Sequence, residues 1–313
     1  MRKLVLRRLI TSVPLLFVVS LITFVLEHLV PGNAAEAIAG PTATAAQMAA
    51  VRHQLGLNLP LWDQYYKWLD AVFHGSLGTS LFSGQSVLSI LAPRIPVTLS
   101  LVIGVFVVCV VVGIAVGIGS AVLEGTLGKI IDALSLLGLA LPAFWVALVF
   151  ISLFAVDIKL VPATGYTDFS SSIGGWMLSL ILPVAALSLG AITIVAKQTR
   201  DALKDALESP YIRSLRASGI RESSLVLKHA LKNAAPPVIT IVGLIMVTVL
   251  SSSVFIEQVF VLPGLGSLAV QATEAHDLPI IEGIALVFTL ITIGFNLLVD
   301  ISYGLVNPKI ELS

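Results

Sequence analysis

Residues 211–237 read YIRSLRASGIRESSLVLKHALKNAAPP, a basic, glycine-broken segment set between two long apolar runs. The surrounding chain of 313 residues is 57% hydrophobic and 12% charged, about half the roughly 25% charge of a soluble globular domain. The segment reads as helix, break, helix. Its first part, with the preceding TRDALKDALESP, continues the fourth apolar run outward. Gly219 suits the left-handed residue that ends a helix, and Ile220 supplies the apolar contact that often follows it. A second helix is predicted from 222–224, with Ser223 or Ser224 as the capping oxygen, running to Pro236 and Pro237 at the start of the next apolar run. Two short helices meeting at a glycine make a rigid knob. Tyr211, Ile212, Leu215 and Ile220 stand among its basic residues and fit a groove on a protein partner. Contact with anionic headgroups would need neither the glycine nor the Tyr-Ile pair.

Working outward, six runs approach or exceed the roughly 20 apolar residues that cross a hydrocarbon core: 9–30, 97–122, 134–156, 177–196, 238–256 and 280–299. The first is too long for the apolar region of a signal peptide, which predicts a retained span. Fourteen of the 18 Lys and Arg residues fall on one side of this topology, eight of them in 197–232, so both termini and the knob are predicted cytoplasmic. A net charge of zero suggests no nucleic-acid partner. The fold class is all-α: a polytopic, multi-pass membrane protein divided at 1–96 (first span plus a long outer segment) and 97–313 (five-helix core with the loop at 201–235).

The outer segment carries order of its own. In LWDQYYKWLDAVFHG, positions Trp62, Tyr65, Tyr66, Leu69, Val72 and Phe73 follow helical spacing between Pro60 and Gly75, an amphipathic helix with an aromatic face. Such a face either lies on the membrane surface or packs over the mouth of the bundle. A shorter helix is predicted over 44–55, stopped by Gly56. Gly113 and Gly117 lie four apart in the second span, a spacing that lets helices approach closely. The ionisable residues near the spans, among them Glu257, Glu282 and Asp300, sit toward span ends, which argues against an ion-driven carrier. Ser251, Ser252 and Ser253, with Thr240 and Thr248, either line a polar path or bond back to their own helix. Glu257, Glu274, Asp277 and Glu282 are candidates for an outer surface that guides substrate.

These residues resemble a family. The knob looks like the cytoplasmic Glu-Ala-Ala loop of membrane subunits in binding-protein-dependent ABC importers. The whole chain is similar to the first of the two membrane subunits of the dipeptide, oligopeptide and nickel group. The resemblance runs through LVLRRLITSVPLLFVVSLITFVLEHLVPG, LGLNLPLWDQYYKWL, LAPRIPVTLSL, LGLALPAFWVALVFISLFAV, VFIEQVFVLPGLGSLAVQATEAHDLPIIEG and NLLVDISYGLVNPKI. It implies six transmembrane helices, both ends cytoplasmic, and an ATPase-coupling loop whose contacts would come from Tyr211, Ile212, Arg213, Leu215, Arg216, Gly219 and Ile220. Arg213, Ser214 and Leu215 occupy the Glu-Ala-Ala positions; Arg213 stands where an acidic residue is usual, and Lys232 where the first of two prolines would be. Implied partners are a second, homologous permease in a heterodimer, two ATP-binding subunits that hold ATP and magnesium, and an extracytoplasmic binding protein, in a bacterial inner membrane. The implied function is uptake of di- or oligopeptides by alternating access, with nickel or another small solute as the alternative in the same family.

Enzyme readings fare poorly. GTLGKI, at 125–130, lacks the spacing and hydroxyl of a phosphate-binding loop, so ATP hydrolysis is not expected of this chain. No nucleophile and base fall together within the spans, and no metal-ligand cluster is apparent. Cys109, the single cysteine, reads as a small core residue. The reading from a different class is a channel or carrier that works alone.

Overall fold

The computed structural model describes residues 2–29, 34–40, 42–123 and 141–306. Among them the regular elements are helices: α1 (Arg2–Leu29), α2 (Ala34–Ala39), α3 (Ala45–Gln54), α4 (Leu61–Phe73), α5 (Val87–Leu91), α6 (Ile95–Val122), α7 (Ala143–Phe150), α8 (Ile173–Leu207), α9 (Pro210–Ala217), α10 (Glu222–Ser224), α11 (Leu231–Val259), α12 (Leu265–Ala275) and α13 (Leu278–Val306). Two π-helical turns interrupt the pattern, Ile151–Asp157 after α7 and Leu225–Ala230 between α10 and α11.

Four of these helices are long and apolar enough to cross a membrane: α6, α8, the continuous Glu222–Val259 and Leu278–Gly304. Shorter apolar stretches, Ile10–Leu26 and Ala143–Asp157, fall where the first and third spans were expected. The part of the third span at 134–140, the sequence GTLGKI, and Lys129 and Lys309 lie outside the described residues.

The described residues group into two compact units. One comprises 2–4, 99–123, 141–262 and 294–306; the other comprises 5–29, 34–40, 42–98 and 263–293. One boundary between the units falls at 98/99, and 263–293 groups with the outer segment. The reason is side-chain packing: Leu265, Leu268, Ala272, Ile280 and Ile284 form a buried cluster with Val87 and Leu91. The backbone N–H of Leu265 donates to Thr98 Oγ1 at 2.8 Å, satisfying one of the donors that the first turn of a helix leaves unpaired.

In the core unit, α6 and α8 run in the same direction. Gly104, Gly113 and Gly117 meet Val184, Val195 and Thr199 in ascending order, as the second and fourth spans of one topology must. At about 1.5 Å per residue, the 35 residues of α8 reach about 50 Å, well beyond a hydrocarbon core of roughly 30 Å. Its last turns, where Lys197, Arg200 and Lys204 cluster, therefore extend beyond the bilayer, on the side that the basic residues mark as cytoplasmic, and position the knob.

Candidate functional site

The first helix of the knob is separate from the fourth span, which the sequence reading runs together with it. Instead of continuing α8 to residue 218, the helix stops at Leu207, and Pro210 opens a separate helix, α9. Proline at the first helical position loses no bond, because that N–H is unpaired in any helix. Ser209 before it is extended and accepts from the Ile212 N–H at 3.4 Å. At the other end Gly219 has φ +80°. The Ile220 N–H reaches the Leu215 carbonyl at 3.4 Å and the Gly219 N–H reaches that of Arg216 at 3.1 Å, the paired bonds of a left-handed helix stop. The expected break is thus present with its full hydrogen-bond pattern.

The next helix differs from expectation. Its cap residue is Arg221, whose side chain makes no capping bond, and neither Ser223 nor Ser224 caps it. Glu222 takes the first-turn position and receives two hydrogen bonds from Arg216, at 3.0 and 2.5 Å. That bidentate pair ties α9 to α10 across the glycine. The Arg216 hydrogen bonds hold the Glu222 carboxyl below the ordinary carboxylate range. Because both side chains are exposed, screening leaves the pair a geometric tie more than a source of stability.

Of the seven residues named for ATPase contact, Ile212 is the one the structure removes from that role. It is fully buried, in a cluster with Ala202, Leu203, Val226, Ala230 and Ala234, against which Ile118, Ala121 and Leu215 pack. The knob is therefore plugged into the cytoplasmic ends of three spans, α6, α8 and the Glu222–Val259 helix. A residue facing this socket cannot also face a partner. Tyr211 is half exposed and its hydroxyl bonds His229 Nδ1 at 3.0 Å; Arg213, Arg216 and Gly219 are exposed, while Leu215 and Ile220 are partly covered. His229 and Glu222 complete the arrangement and were not singled out from sequence, since their partners lie 18 and 6 residues away.

The outer-face candidates are corrected in a similar way. Asp277 is 3% exposed and accepts from Ser80 Oγ at 2.6 Å and from the Leu81 N–H at 3.2 Å. It clamps the loop before α5 to the α12–α13 corner. Glu257 and Glu282 are also buried, at 0% and 3% exposure, so these three carboxylates form no outer surface within this chain; Glu274 stays exposed. Glu282 lines a cleft of about 540 Å³ with Phe24, Lys67, Trp68 and the 53–59 turn. Among the hydroxyls, Ser251 and Ser253 bond back to the carbonyls of Val247 and Leu250, and Thr240 pairs with Tyr303 and the Pro236 carbonyl. Their bonding is accounted for within the chain.

Next to Glu257 the chain does something the sequence hid. Val261 has φ +52° and the Leu262 N–H bonds the Glu257 carbonyl at 2.8 Å, the same helix stop as at Gly219 but built on a β-branched residue. Such conformations cost on the order of 1–3 kcal/mol. The one sequence signal is Pro263, two residues beyond, which cannot continue a helix.

Replacing Asp277 by alanine is expected to leave the buried Ser80 hydroxyl and the part-buried Leu81 N–H without their acceptor, at about 1–3 kcal/mol. Hydrogen exchange over residues 78–86 should rise at least tenfold while membrane insertion is retained. Exchange unchanged from wild type would show the clamp to be inert.

The family models match over nearly all of this chain: the binding-protein-dependent transport system inner membrane component at residues 110–312, and its N-terminal membrane component at 1–102. A peptide transport system permease protein of Brucella suis is 38% identical over 312 residues, 99% of each chain. A peptide ABC transporter permease protein of Sinorhizobium fredii is 35% identical over 98% of each, and a glutathione transport system permease protein of Salmonella paratyphi A is 36% identical over 98% of each. A solved chain of the MetNI methionine ABC transporter, in inward-facing conformations, shares the fold with TM-score 0.56 at 18% identity, covering 70% of this chain and 97% of that one. With its apolar spans and its knob of α9 and α10, this chain belongs to the inner-membrane components of binding-protein-dependent ABC transport systems, a transport subunit and not an enzyme.

Proposed function

We propose that this chain is one half of the membrane pore of an ATP-driven importer of di- and oligopeptides. It works by alternating access, with a second, homologous permease as the other half. One observation carries the reading: Ile212 locks α9 into a socket built by three span ends while Tyr211 and Arg213 on the same helix stay exposed. A helix fixed that way converts a push from outside into a shift of the spans themselves. The push comes from separate ATP-binding subunits, which hold ATP and magnesium; the chain itself needs no cofactor. The peptide assignment is supported by full-length relatives named for peptide and glutathione transport.

The test is Gly219→Pro in the reconstituted assembly. Proline cannot adopt φ +80° and removes the N–H that bonds Arg216, so α9 loses its stop. Peptide uptake should fall at least tenfold while the protein inserts normally and ATP hydrolysis persists. Gly219→Ala, whose Cβ would meet nothing within 4 Å, costs only the left-handed backbone, about 1–2 kcal/mol, and should be milder. Unchanged uptake in the proline variant overturns the coupling role.

A further inference from the structure

We infer that α4 is an interfacial helix whose stripe of Trp62, Tyr66, Leu69 and Phe73 is seated in the outer leaflet of the bilayer. At 100° per residue these four side chains fall within an arc of about 60°. Trp62, Tyr66 and Phe73 are 74%, 69% and 80% exposed in the folded chain. Large aromatics left this open are unusual, and here they are contiguous.

The rest of the helix is already assigned. A second arc carries Tyr65, Trp68 and Val72 inward: the Tyr65 hydroxyl bonds Ser20 Oγ of α1 at 2.8 Å, and its ring meets Phe17 and Phe24 edge-on at 6.0 and 5.3 Å. A third arc, on the far side of the stripe, holds Asp63, Lys67, Asp70 and His74, all exposed. One face is thus taken by protein, one is suited to water, and the aromatic stripe between them is open.

Depth decides what covers the stripe. Ser20 lies eight positions before His28, where the apolar run of α1 ends; at about 1.5 Å per residue, that is about 12 Å inside the span, within the outer half of a hydrocarbon core roughly 30 Å thick. A phenol that bonds Ser20 brings its own helix down to the acyl-chain boundary. On α1 itself Leu21, Ile22, Val25 and Leu26 are likewise left open by the chain, at 38–57% exposure. Tryptophan and tyrosine with phenylalanine suit that boundary, where an apolar ring and a polar tip are both satisfied. A soluble partner would have no access to a face at this depth.

The test is site-directed spin labelling of the full chain, in a Cys109→Ser background, reconstituted in nanodiscs of phosphatidylethanolamine and phosphatidylglycerol. Labels at 62, 66 and 73 should collide several-fold more often with oxygen than with a water-soluble nickel chelate. Labels at 63 and 70 should show the reverse, which also reports that α4 has kept its fold and register. Nickel-dominated collisions at 62, 66 and 73 would overturn the placement by putting the stripe in water. Exclusion of both reagents there, with or without the binding protein, would overturn it in favour of a protein cover.

Discussion

Gly117→Leu should yield no stably folded protein, and Gly117→Ala a clearly weakened one. A Cβ at this position would lie 2.5 Å from the Thr199 Cβ and 2.6 Å from the Ala196 carbonyl oxygen, and a helix backbone cannot step aside as a side chain can. Gly113 continues the seam, with a built Cβ 2.8 Å from that of Val195. Lipid offers no hydrophobic drive to hold helices together, so close backbone approach is a main source of cohesion. Overpacking such a contact costs about 1–3 kcal/mol for one methyl and more for a branched side chain. Thermal unfolding of the purified chain checks it: Gly117→Ala should lower Tm by several degrees. Gly119→Ala, on the same helix with nothing within 4 Å of its Cβ, should not. Equal Tm values for the two variants would mean that α6 and α8 do not approach as closely as described.

Ile212→Asp should disconnect the knob while leaving the spans in the membrane. The side chain is fully buried among apolar neighbours contributed by α6, α8, the π turn and α11. Truncation to alanine at such a site costs about 2–5 kcal/mol; a carboxylate there is worse, because no partner compensates its desolvation. We expect proteolytic cleavage between 209 and 219 to accelerate, peptide uptake to be lost, and ATP hydrolysis by the assembled complex to continue uncoupled. Arg213→Ala is the contrasting variant. Its side chain is exposed one residue away, so it should leave cleavage unchanged and weaken only the grip of the ATPase. If Arg213→Ala loosened the loop more than Ile212→Asp, the roles of the two residues would be reversed.

The break at Gly219, the cytoplasmic placement of the knob and the six apolar runs were readable without a structure because each is a local property. A positive φ wants glycine, basic residues stay on the inner face, and about 20 apolar residues are what a bilayer requires. The capping of α3 by Thr44 and Gln47 falls within the short helix expected over 44–55 for the same reason. The errors were of another kind. Ile212 looks like a contact residue in a basic segment, and Asp277 and Glu257 look like outer-surface carboxylates. Whether each faces outward depends on elements far along the chain: Ser80 for Asp277, and α6 for Ile212.

Helix existence, span count, orientation and the handle-like loop were thus determined by the sequence itself, since they follow from hydropathy, charge placement and backbone stereochemistry over a few residues. Only the tertiary structure decided which side chains lock the loop and which remain open to a partner. It also drew 263–293 to the outer segment and divided the aromatic face of α4 between α1 and the outside. Those outcomes depend on which distant surfaces meet, and a burial pattern made by long-range contact leaves no period or motif in the chain that makes it.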